Sequence, residues 1–325
     1  MLKEKIMHFM PGGLIRYLAK PYVSGYSMEA GIDRARALVF KQRLATIDLL
    51  GEEASNPADV EIAVDVYHQL ISRIAQEKAF QDTKTRPTVS LKLSALVVAT
   101  IKDDILHLDE SELEKNVVSI LEHACDEQVE LTIDMEDYHW TDVTLGLYKR
   151  MFEKGFRSLG TVLQSRLFRT EKDIADLPDG TRIRLCIGIY KEAAARALTD
   201  KKDMKDKLLL FSRQLLQKNV YLELATHDDH YLQTFFIEVL PEFTFPEGRL
   251  EVQMLLGVPR VAVQSKIISG AFTQGKTVPV RLYVPFAVNK KDSTEYSRRR
   301  LIANPDLMSY GVKNILGNLT GKGLY

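Results

Sequence analysis

Short apolar runs and longer amphipathic stretches alternate along most of this chain. Eight of the runs are four or five residues long, a length typical of buried β-strands. The predicted strands are Ala45–Leu49, Val89–Leu93, Glu130–Asp134, Thr161–Gln164, Arg182–Cys186, Tyr221–Ala225, Leu250–Met254 and Val280–Val284. Between the strands, apolar residues recur every three or four positions, which predicts helices over Asp59–Glu77, Glu112–Asp126, Thr144–Lys154, Met204–Gln217 and Arg260–Gly270.

This alternation predicts a parallel sheet covered by helices. Eight strand–helix units are the number that closes a (βα)8 barrel. The competing fold, an open doubly wound sheet, usually carries a G-x-G-x-x-G turn after a strand, and the chain has no such turn. We therefore predict a barrel over residues 41–325 that ends in an arginine-bearing helix, with additional N-terminal helices over residues 1–40 that pack on it.

Composition narrows the class of protein. The 325 residues include 44 basic and 44 acidic side chains, so the formal net charge is zero. This balance argues against nucleic acid as a partner, because nucleic-acid binders carry a basic excess. The two cysteines, Cys125 and Cys186, form neither a disulfide framework nor a zinc-binding spacing, which indicates a reducing, cytoplasmic compartment.

The chain gives little indication of a membrane. No apolar run reaches the ~18 residues that a spanning helix needs. The first residues, Met1–His8, predict a short amphipathic helix rather than a signal peptide. Such a helix is compatible with peripheral contact at the inner face of a membrane.

Polar residues concentrate near the ends of the predicted strands. They include Lys92, Asp134, Gln164, Arg184 and His227. Each has an ordinary explanation by itself, such as a helix cap or a satisfied core histidine. Together they need one another or a ligand, because a buried charge is costly unless it is paired. The set is cation-rich and lies where barrels carry their chemistry, which favours an anionic substrate and an electron-rich cofactor over a metal.

Three consecutive arginines, Arg298–Arg300, follow the last predicted strand. Adjacent helical residues diverge by about 100°, so two of the three can share a face. A guanidinium forms a planar fork of donors that matches a carboxylate, and two on one face suit an anion clamp. A solvated basic patch is the alternative explanation.

Seven segments resemble, in order, the successive motifs of the proline dehydrogenase family. They are Ser90–Leu96, Asp134–Glu136, Arg184–Glu192, Ala225–His227, Glu251–Gly257, Arg281–Pro285 and Tyr296–Leu301. The resemblance covers roughly residues 40–305, and it is to the short monofunctional bacterial form. It implies a distorted TIM-like (βα)8 barrel that holds FAD non-covalently.

The resemblance also implies a reaction. L-Proline is oxidised to Δ1-pyrroline-5-carboxylate by hydride transfer to flavin N5, the first step of proline catabolism to glutamate. The electrons then pass to a membrane quinone. FAD is therefore the implied cofactor, and L-proline and the quinone are the implied partners.

The resemblance implies a role for each residue that matches a family motif. Asp134, which would orient the cationic groups, and Arg184, which would lie near the flavin, are the implied catalytic residues. The implied substrate-binding residues are Lys92, Leu185, Tyr190, Tyr283, Tyr296, Arg299 and Arg300. The implied cofactor-binding residues are Met135, Gln164, Arg184, Cys186, Ile187, Gly188, Thr226 and His227. Arg298 is left as the solvated member of the arginine run, and no metal is implied.

Two positions depart from the family pattern. Ile187 stands where the family usually has a basic residue, which removes an expected contact with the flavin or its phosphates. Ala303 stands where it usually has Glu, which removes a carboxylate expected to brace the arginine pair. Tyr283 is retained; a smaller residue there goes with hydroxyproline in the family, so Tyr favours proline itself.

Two other functions remain open from the residues alone. A barrel lyase or aldolase would use Lys92 as a Schiff base. A non-catalytic barrel would bind an anionic metabolite or partner through its arginine face. Neither function accounts for the seven ordered motifs.

Overall fold

The computed structural model describes residues 10–303 and 307. Eight parallel strands close into a barrel whose neighbours follow chain order. They are β1 (Leu44–Leu50), β2 (Thr88–Leu91), β5 (Leu131–Ile133), β6 (Gly160–Gln164), β7 (Arg182–Cys186), β8 (Tyr221–Ala225), β9 (Leu250–Leu255) and β10 (Val280–Ala287). A separate antiparallel hairpin consists of β3 (Ala99–Lys102) and β4 (Ile105–Leu108). The predicted (βα)8 barrel is confirmed.

The predicted and observed barrel strands differ by at most three residues at either end. The largest difference is in β10, which continues through Pro285 to Ala287. The predicted strand ended at Val284, just before a proline, which has no N–H to donate to a sheet. In the structure, the Pro285 carbonyl accepts hydrogen bonds from the N–H and the hydroxyl of Ser24, at 2.8 and 2.7 Å. The N-terminal segment therefore completes the hydrogen bonding of this strand.

Helices cover the outside of the barrel. They are α1 (Gly12–Ala19), α2 (Met28–Val39), α3 (Pro57–Gln76), α4 (Glu110–Asp126), α5 (Thr141–Glu153), α6 (Thr170–Ala175), α7 (Lys201–Gln217), α8 (Asp229–Thr234), α9 (Val261–Ile268) and α10 (Lys290–Ala303). A π-helical turn over Phe235–Val239 follows α8. Single 3₁₀ turns occupy Lys20–Tyr22, Lys78–Phe80, Leu93–Ala95, Tyr138–Trp140 and Leu240–Glu242. The five predicted helices correspond to α3, α4, α5, α7 and α9, within three residues at each end.

Helix α3 illustrates how the sequence specifies these elements. The Asn56 side chain accepts a hydrogen bond from the N–H of Asp59 at 3.1 Å, and Pro57 occupies the first turn. One face of the helix is buried at Val60, Tyr67, Leu70, Ile71 and Ile74. Burying a large aliphatic side chain contributes about 1.5–3 kcal/mol, so this stripe fixes the helix to the protein core.

Two helices precede the first strand. Helix α2 packs on β1 and β10, where Gly31 lies against Ile47 and Phe286. Helix α1 lies beside α10, and Arg16 Nη1 donates to Thr294 Oγ1 at 2.7 Å. The amphipathic helix predicted for Met1–His8 lies outside the described residues.

Helix α10 lies at the C-terminal ends of the first and last barrel strands. Its Tyr296 is buried against Leu50 and Ala287, the last residues of β1 and β10. This contact places Arg298–Arg300 at the rim where all eight parallel strands end. In this fold, that rim is where active sites are built.

Candidate active site

The lumen of the barrel is lined by charged and polar side chains. Arg182 and Arg184 come from β7, Glu223 from β8, and Glu251 and Gln253 from β9, and none is more than 6% exposed. The lumen of such a barrel is usually filled by branched apolar side chains. Charges cost too much to bury there without partners, so this polar lumen indicates a functional site.

Asp134 is the centre of the upper layer of this lumen. Its Oδ1 accepts hydrogen bonds from Arg184 Nη1 at 2.5 Å and from Ser90 Oγ at 3.1 Å. Its Oδ2 accepts one from the Tyr283 hydroxyl at 2.5 Å. Burial alone would raise the pKa of Asp134, but the charges of Arg184 and Lys92 outweigh it and lower that pKa. The carboxylate therefore stays ionised, which suits orienting cations better than accepting a proton.

Lys92 is already paired inside the protein. Its Nζ donates to Asp48 Oδ1 and to the carbonyl of Leu49 (3.3 Å), and it lies 3.9 Å from Asp134 Oδ2. Burial alone would lower the pKa of Lys92, but the two carboxylates outweigh it and raise that pKa above its ordinary value. A Schiff-base lysine needs the opposite shift, so this geometry disfavours the lyase alternative.

The three arginines of α10 differ in their partners. Arg299 Nη2 forms an ion pair with Glu52 Oε2 at 2.7 Å. Arg298 Nη2 donates to the carbonyl of Met10 at 3.2 Å and is half-buried, so its interpretation as the solvated arginine is wrong. Within residues 10–303 and 307, no carboxylate oxygen forms an ion pair with Arg300, whose guanidinium carbon lies 5.2 Å from the ring centre of Tyr296.

Tyrosines surround the space near Arg300. Tyr296 is buried beneath it, and the Tyr283 ring lies 5.5 Å from the guanidinium carbon of Arg184. Burial, with the nearby carboxylates of Glu52 and Glu136, raises the pKa of Tyr190 and keeps it neutral. These rings give the mouth of the barrel an apolar wall beside its cations.

Leu185 is the predicted site residue that the structure separates from the others. Successive strand residues point to opposite faces of the sheet. Because Arg184 faces the lumen, Leu185 faces the surrounding helices, where it is fully buried in the apolar core. Its predicted place in the substrate pocket gains no support from this arrangement.

The other predicted positions lie along one side of the rim. Met135, Gln164, Cys186 and Thr226 are buried or half-buried at the ends of β5, β6, β7 and β8. Ile187 and Gly188 follow β7, and Gly188 has a positive φ of 101°. A Cβ at Gly188 would collide with the side chain of Gln164. The strand ends therefore bring these positions to one rim, as the barrel predicts.

Comparison with known proteins identifies the family. A family model described as "Proline dehydrogenase" matches residues 32–184. Proline dehydrogenase 1 of Bacillus subtilis subsp. natto is 31% identical over 301 residues, which cover 92% of this chain and 90% of that protein. The chain belongs to the proline dehydrogenase family. The proline dehydrogenase of Deinococcus radiodurans is 30% identical over 305 residues, with 92% and 90% coverage. The predicted enzyme family is thus confirmed.

Solved structures of the family share the fold. Proline utilization A from Bdellovibrio bacteriovorus superposes with a TM-score of 0.74 at 19% identity, over 88% of this chain and 32% of that one. A mutant of the Bradyrhizobium japonicum protein gives a TM-score of 0.69 at 20% identity, over 90% and 33%. The chain therefore spans about a third of the length of these two proteins.

The rim carries buried polar atoms without partners, as a site for the flavin expected from the sequence would. Gln164 Nε2 donates to the carbonyl of Glu136 at 2.8 Å, but its Oε1 is buried without a hydrogen-bond partner. His227 Nε2 accepts from the N–H of Leu255 at 3.0 Å, so Nδ1 carries the proton and is a buried donor without a partner. Burial and the charges of Arg260 and Arg300 lower the pKa of His227 to about 3 and keep it neutral. A ligand with polar groups would satisfy both atoms.

Sequence reasoning missed the carboxylates that pair with the cations. Asp48, Glu52 and Glu223 hold Lys92, Arg299 and the lumen arginines, yet none was selected as a site residue. A charged residue at a lumen-facing position of an apolar strand, as Asp48 is in β1, was the available signal. The description of the set as cation-rich is therefore wrong, because carboxylates pair with most of its cations.

Proposed function

We propose that this protein oxidises L-proline to Δ1-pyrroline-5-carboxylate with bound FAD and passes the electrons to a membrane quinone. The relatives named proline dehydrogenase support the reaction. The observation that carries the proposal is Arg300: it is a half-buried cation at the barrel mouth with no carboxylate partner among the described residues. The substrate carboxylate supplies that partner.

The chain's own residues bind and orient the substrate. Arg300 holds the carboxylate through charge-assisted hydrogen bonds, and Arg299 adds a second guanidinium beside it. Lys92 contributes less charge than a free lysine, because Asp48 partly neutralises it. Asp134 fixes the cations around the ring, and Tyr190, Tyr283 and Tyr296 wall the pocket. Holding the ring in one orientation is the main catalytic contribution of such a site.

The residues that we propose to bind the cofactor lie along the rim from β5 to β8. Met135, Gln164, Arg184, Cys186, Ile187, Gly188, Thr226 and His227 would hold the FAD. Bound FAD would supply the acceptor for the hydride that leaves carbon 5 of proline. Arg184 places a fixed positive charge that stabilises an electron-rich reduced cofactor. The low pKa of Asp134 leaves release of the amine proton to bulk water.

Electron transfer to quinone requires contact with a membrane. None of the described helices combines the length and apolar character needed to cross a bilayer. We propose that the enzyme acts in the cytoplasm and meets the membrane peripherally. Sedimentation with quinone-containing lipid vesicles, compared with vesicles that lack quinone, measures that contact.

A reconstitution experiment tests the proposed function. Purified protein is loaded with FAD, freed of excess cofactor and assayed with L-proline and a soluble quinone analogue. Quinone reduction that requires both FAD and L-proline, and that D-proline does not support, is the expected result. FAD-loaded protein that retains the flavin but reduces no quinone with saturating L-proline would sink the proposal.

A further inference from the structure

Gln253 lies between Arg184 and two buried carboxylates in the lumen. Its side-chain nitrogen donates to Glu223 Oε2 and to Glu251 Oε1, both at 2.6 Å. Its side-chain oxygen accepts a hydrogen bond from Arg184 Nε, also at 2.6 Å. Both N–H groups of this amide and one lone pair of its oxygen are therefore engaged by charged partners.

The orientation of the amide is fixed by these partners. A flipped amide would set its oxygen against Glu223 and Glu251 and its N–H groups against a guanidinium, and both contacts are repulsive in a buried site. The carboxylates are themselves anchored. Arg281 holds Glu251 with two hydrogen bonds, at 2.7 and 3.0 Å, and Arg182 holds Glu223.

Gln253 also takes the Arg184 Nε–H in place of Glu223, whose charged carboxylate is a stronger acceptor than an amide. Arg184 Nε lies 3.6 Å from Glu223 Oε2, close enough for an ion pair but beyond a good hydrogen bond. The amide oxygen of Gln253 takes the Nε–H instead. Because a guanidinium is planar, fixing Nε on Gln253 and Nη1 on Asp134 (2.5 Å) fixes the plane of the whole group.

We propose that Gln253 is a positioning residue: it transmits the fixed geometry of Glu223 and Glu251 to Arg184 and aims the guanidinium at Asp134 and the flavin. The inference rests on the proposed function, in which Arg184 lies beside the cofactor. Without Gln253, the Arg184 side chain turns toward Glu223 and away from the reacting groups. A misplaced charge stabilises the reduced cofactor less, although the lumen stays filled.

The test replaces Gln253 with a side chain of similar shape that cannot hydrogen-bond. In Gln253→Met, we expect kcat to fall about tenfold or more while the KM for proline changes less than about threefold. The reduction potential of the bound flavin should become more negative and its visible spectrum should shift. The control is Gln264→Met, which removes another buried glutamine with an arginine partner, Arg43, on the outer helix α9. It should leave kcat and the potential unchanged.

A double-mutant cycle separates positioning from a purely structural role. In an Arg184→Lys background, Gln253→Met should add little further loss of kcat, because the group that it positions is gone. Full additivity, or a Gln253→Met enzyme with wild-type kcat and potential and only a lower Tm, would overturn the inference. If the Met variant does not fold, Gln253→Asn gives the same comparison, because its shorter side chain keeps a neutral amide but draws it back from Arg184 and the two carboxylates. Failure of the wild type to oxidise proline would refute the proposed function instead.

Discussion

The three consecutive arginines of α10 have three different environments. Arg298 reaches Met10, Arg299 reaches Glu52, and Arg300 lies over Tyr296 without a carboxylate partner among the described residues. The sequence shows three guanidiniums on one helical turn, but it cannot show which is already paired. Glu52 and Met10 lie far from the helix in sequence, so only the fold brings them to it.

Replacing Arg300 tests its role as the main carboxylate-binding residue. Arg300→Met should raise the KM for proline by roughly 10- to 100-fold, because a charge-assisted contact worth about 1.5–3 kcal/mol is lost. Steady-state kinetics measure the effect, and thermal unfolding should show little change. Arg298→Met, which removes a guanidinium from the same turn, is the control. Equal KM values for the two variants would contradict the assignment.

Tyr283 combines two properties that separate variants can distinguish. Its hydroxyl donates to Asp134 at 2.5 Å, and its ring is part of the proposed pocket wall. We expect Tyr283→Ser to gain activity on 4-hydroxyproline, because the smaller side chain opens space near carbon 4. Tyr283→Phe loses only the hydrogen bond and should still exclude hydroxyproline. Activity assays with both substrates measure this, and a Phe variant that gains hydroxyproline activity would show that the hydroxyl, not the ring, sets the specificity.

At the scale of elements, hydrophobic patterning was sufficient for the barrel and insufficient for the hairpin. Both ends of the strands β7 and β8 were predicted correctly from the alternation of short strand-like segments with helical ones. The hairpin β3–β4 was not predicted. Its turn consists of Asp103 and Asp104 at φ values of 51° and 63°, a conformation usually signalled by Gly or Asn. Aspartate tolerates it, but the sequence then lacks the usual turn signal.

The packing of α3 on α4 includes two reciprocal contacts. His68 Nε2 lies 3.1 Å from Ser119 Oγ, and His123 Nε2 lies 2.8 Å from Ser72 Oγ. The two imidazole rings are 5.1 Å apart. Burial and the neighbouring imidazole lower the pKa of His68. The unfolded chain therefore binds this proton more readily than the folded protein does.

This difference predicts a pH dependence of stability. The pKa of His68 is lower in the folded protein than its value of about 6.5 in the unfolded chain, so well above pH 6.5 His68 has no effect on stability. As the pH falls through about 6.5, the unfolded chain takes up the proton first, and the free energy of unfolding decreases. Between about pH 7.5 and 5.5, urea unfolding should show a larger stability loss for the wild type than for His68→Gln. The carboxylates of Asp104 and Asp137 raise the pKa of His139 against the opposing effect of burial, and this contribution is the same in both proteins. An identical pH dependence of the free energy of unfolding in the wild type and in His68→Gln would contradict this prediction.

At the scale of the whole molecule, the lumen is a connected set of ion pairs rather than an apolar core. Arg182, Glu223, Gln253, Glu251 and Arg281 link β7, β8, β9 and β10. Every one of these charges is visible in the sequence. Their pairing is not, because it depends on the register of neighbouring strands, as in Arg184 opposite Glu223 and Glu223 opposite Glu251.

Breaking this set should destabilise the barrel more than breaking a surface pair. Arg281→Met leaves the carboxylate of Glu251 buried beside fewer positive charges, and we expect a loss of about 3–5 kcal/mol in the free energy of unfolding. Arg213→Met removes the exposed pair with Glu242 and should cost about 1 kcal/mol or less. Urea unfolding measures both variants. Similar losses in the free energy of unfolding would show that the lumen pairs contribute no more to stability than an exposed pair.

We propose that L-proline, held by Arg300 at the mouth of this barrel, reduces a bound flavin. The most direct test of this proposal is an anaerobic titration of the FAD-loaded protein with L-proline, followed in the visible flavin band. We expect the band to bleach in the wild type, and Arg300→Met to need roughly 10- to 100-fold more proline for half bleaching. A flavin that stays oxidised at saturating L-proline, or that bleaches at the same concentration in both proteins, would contradict it.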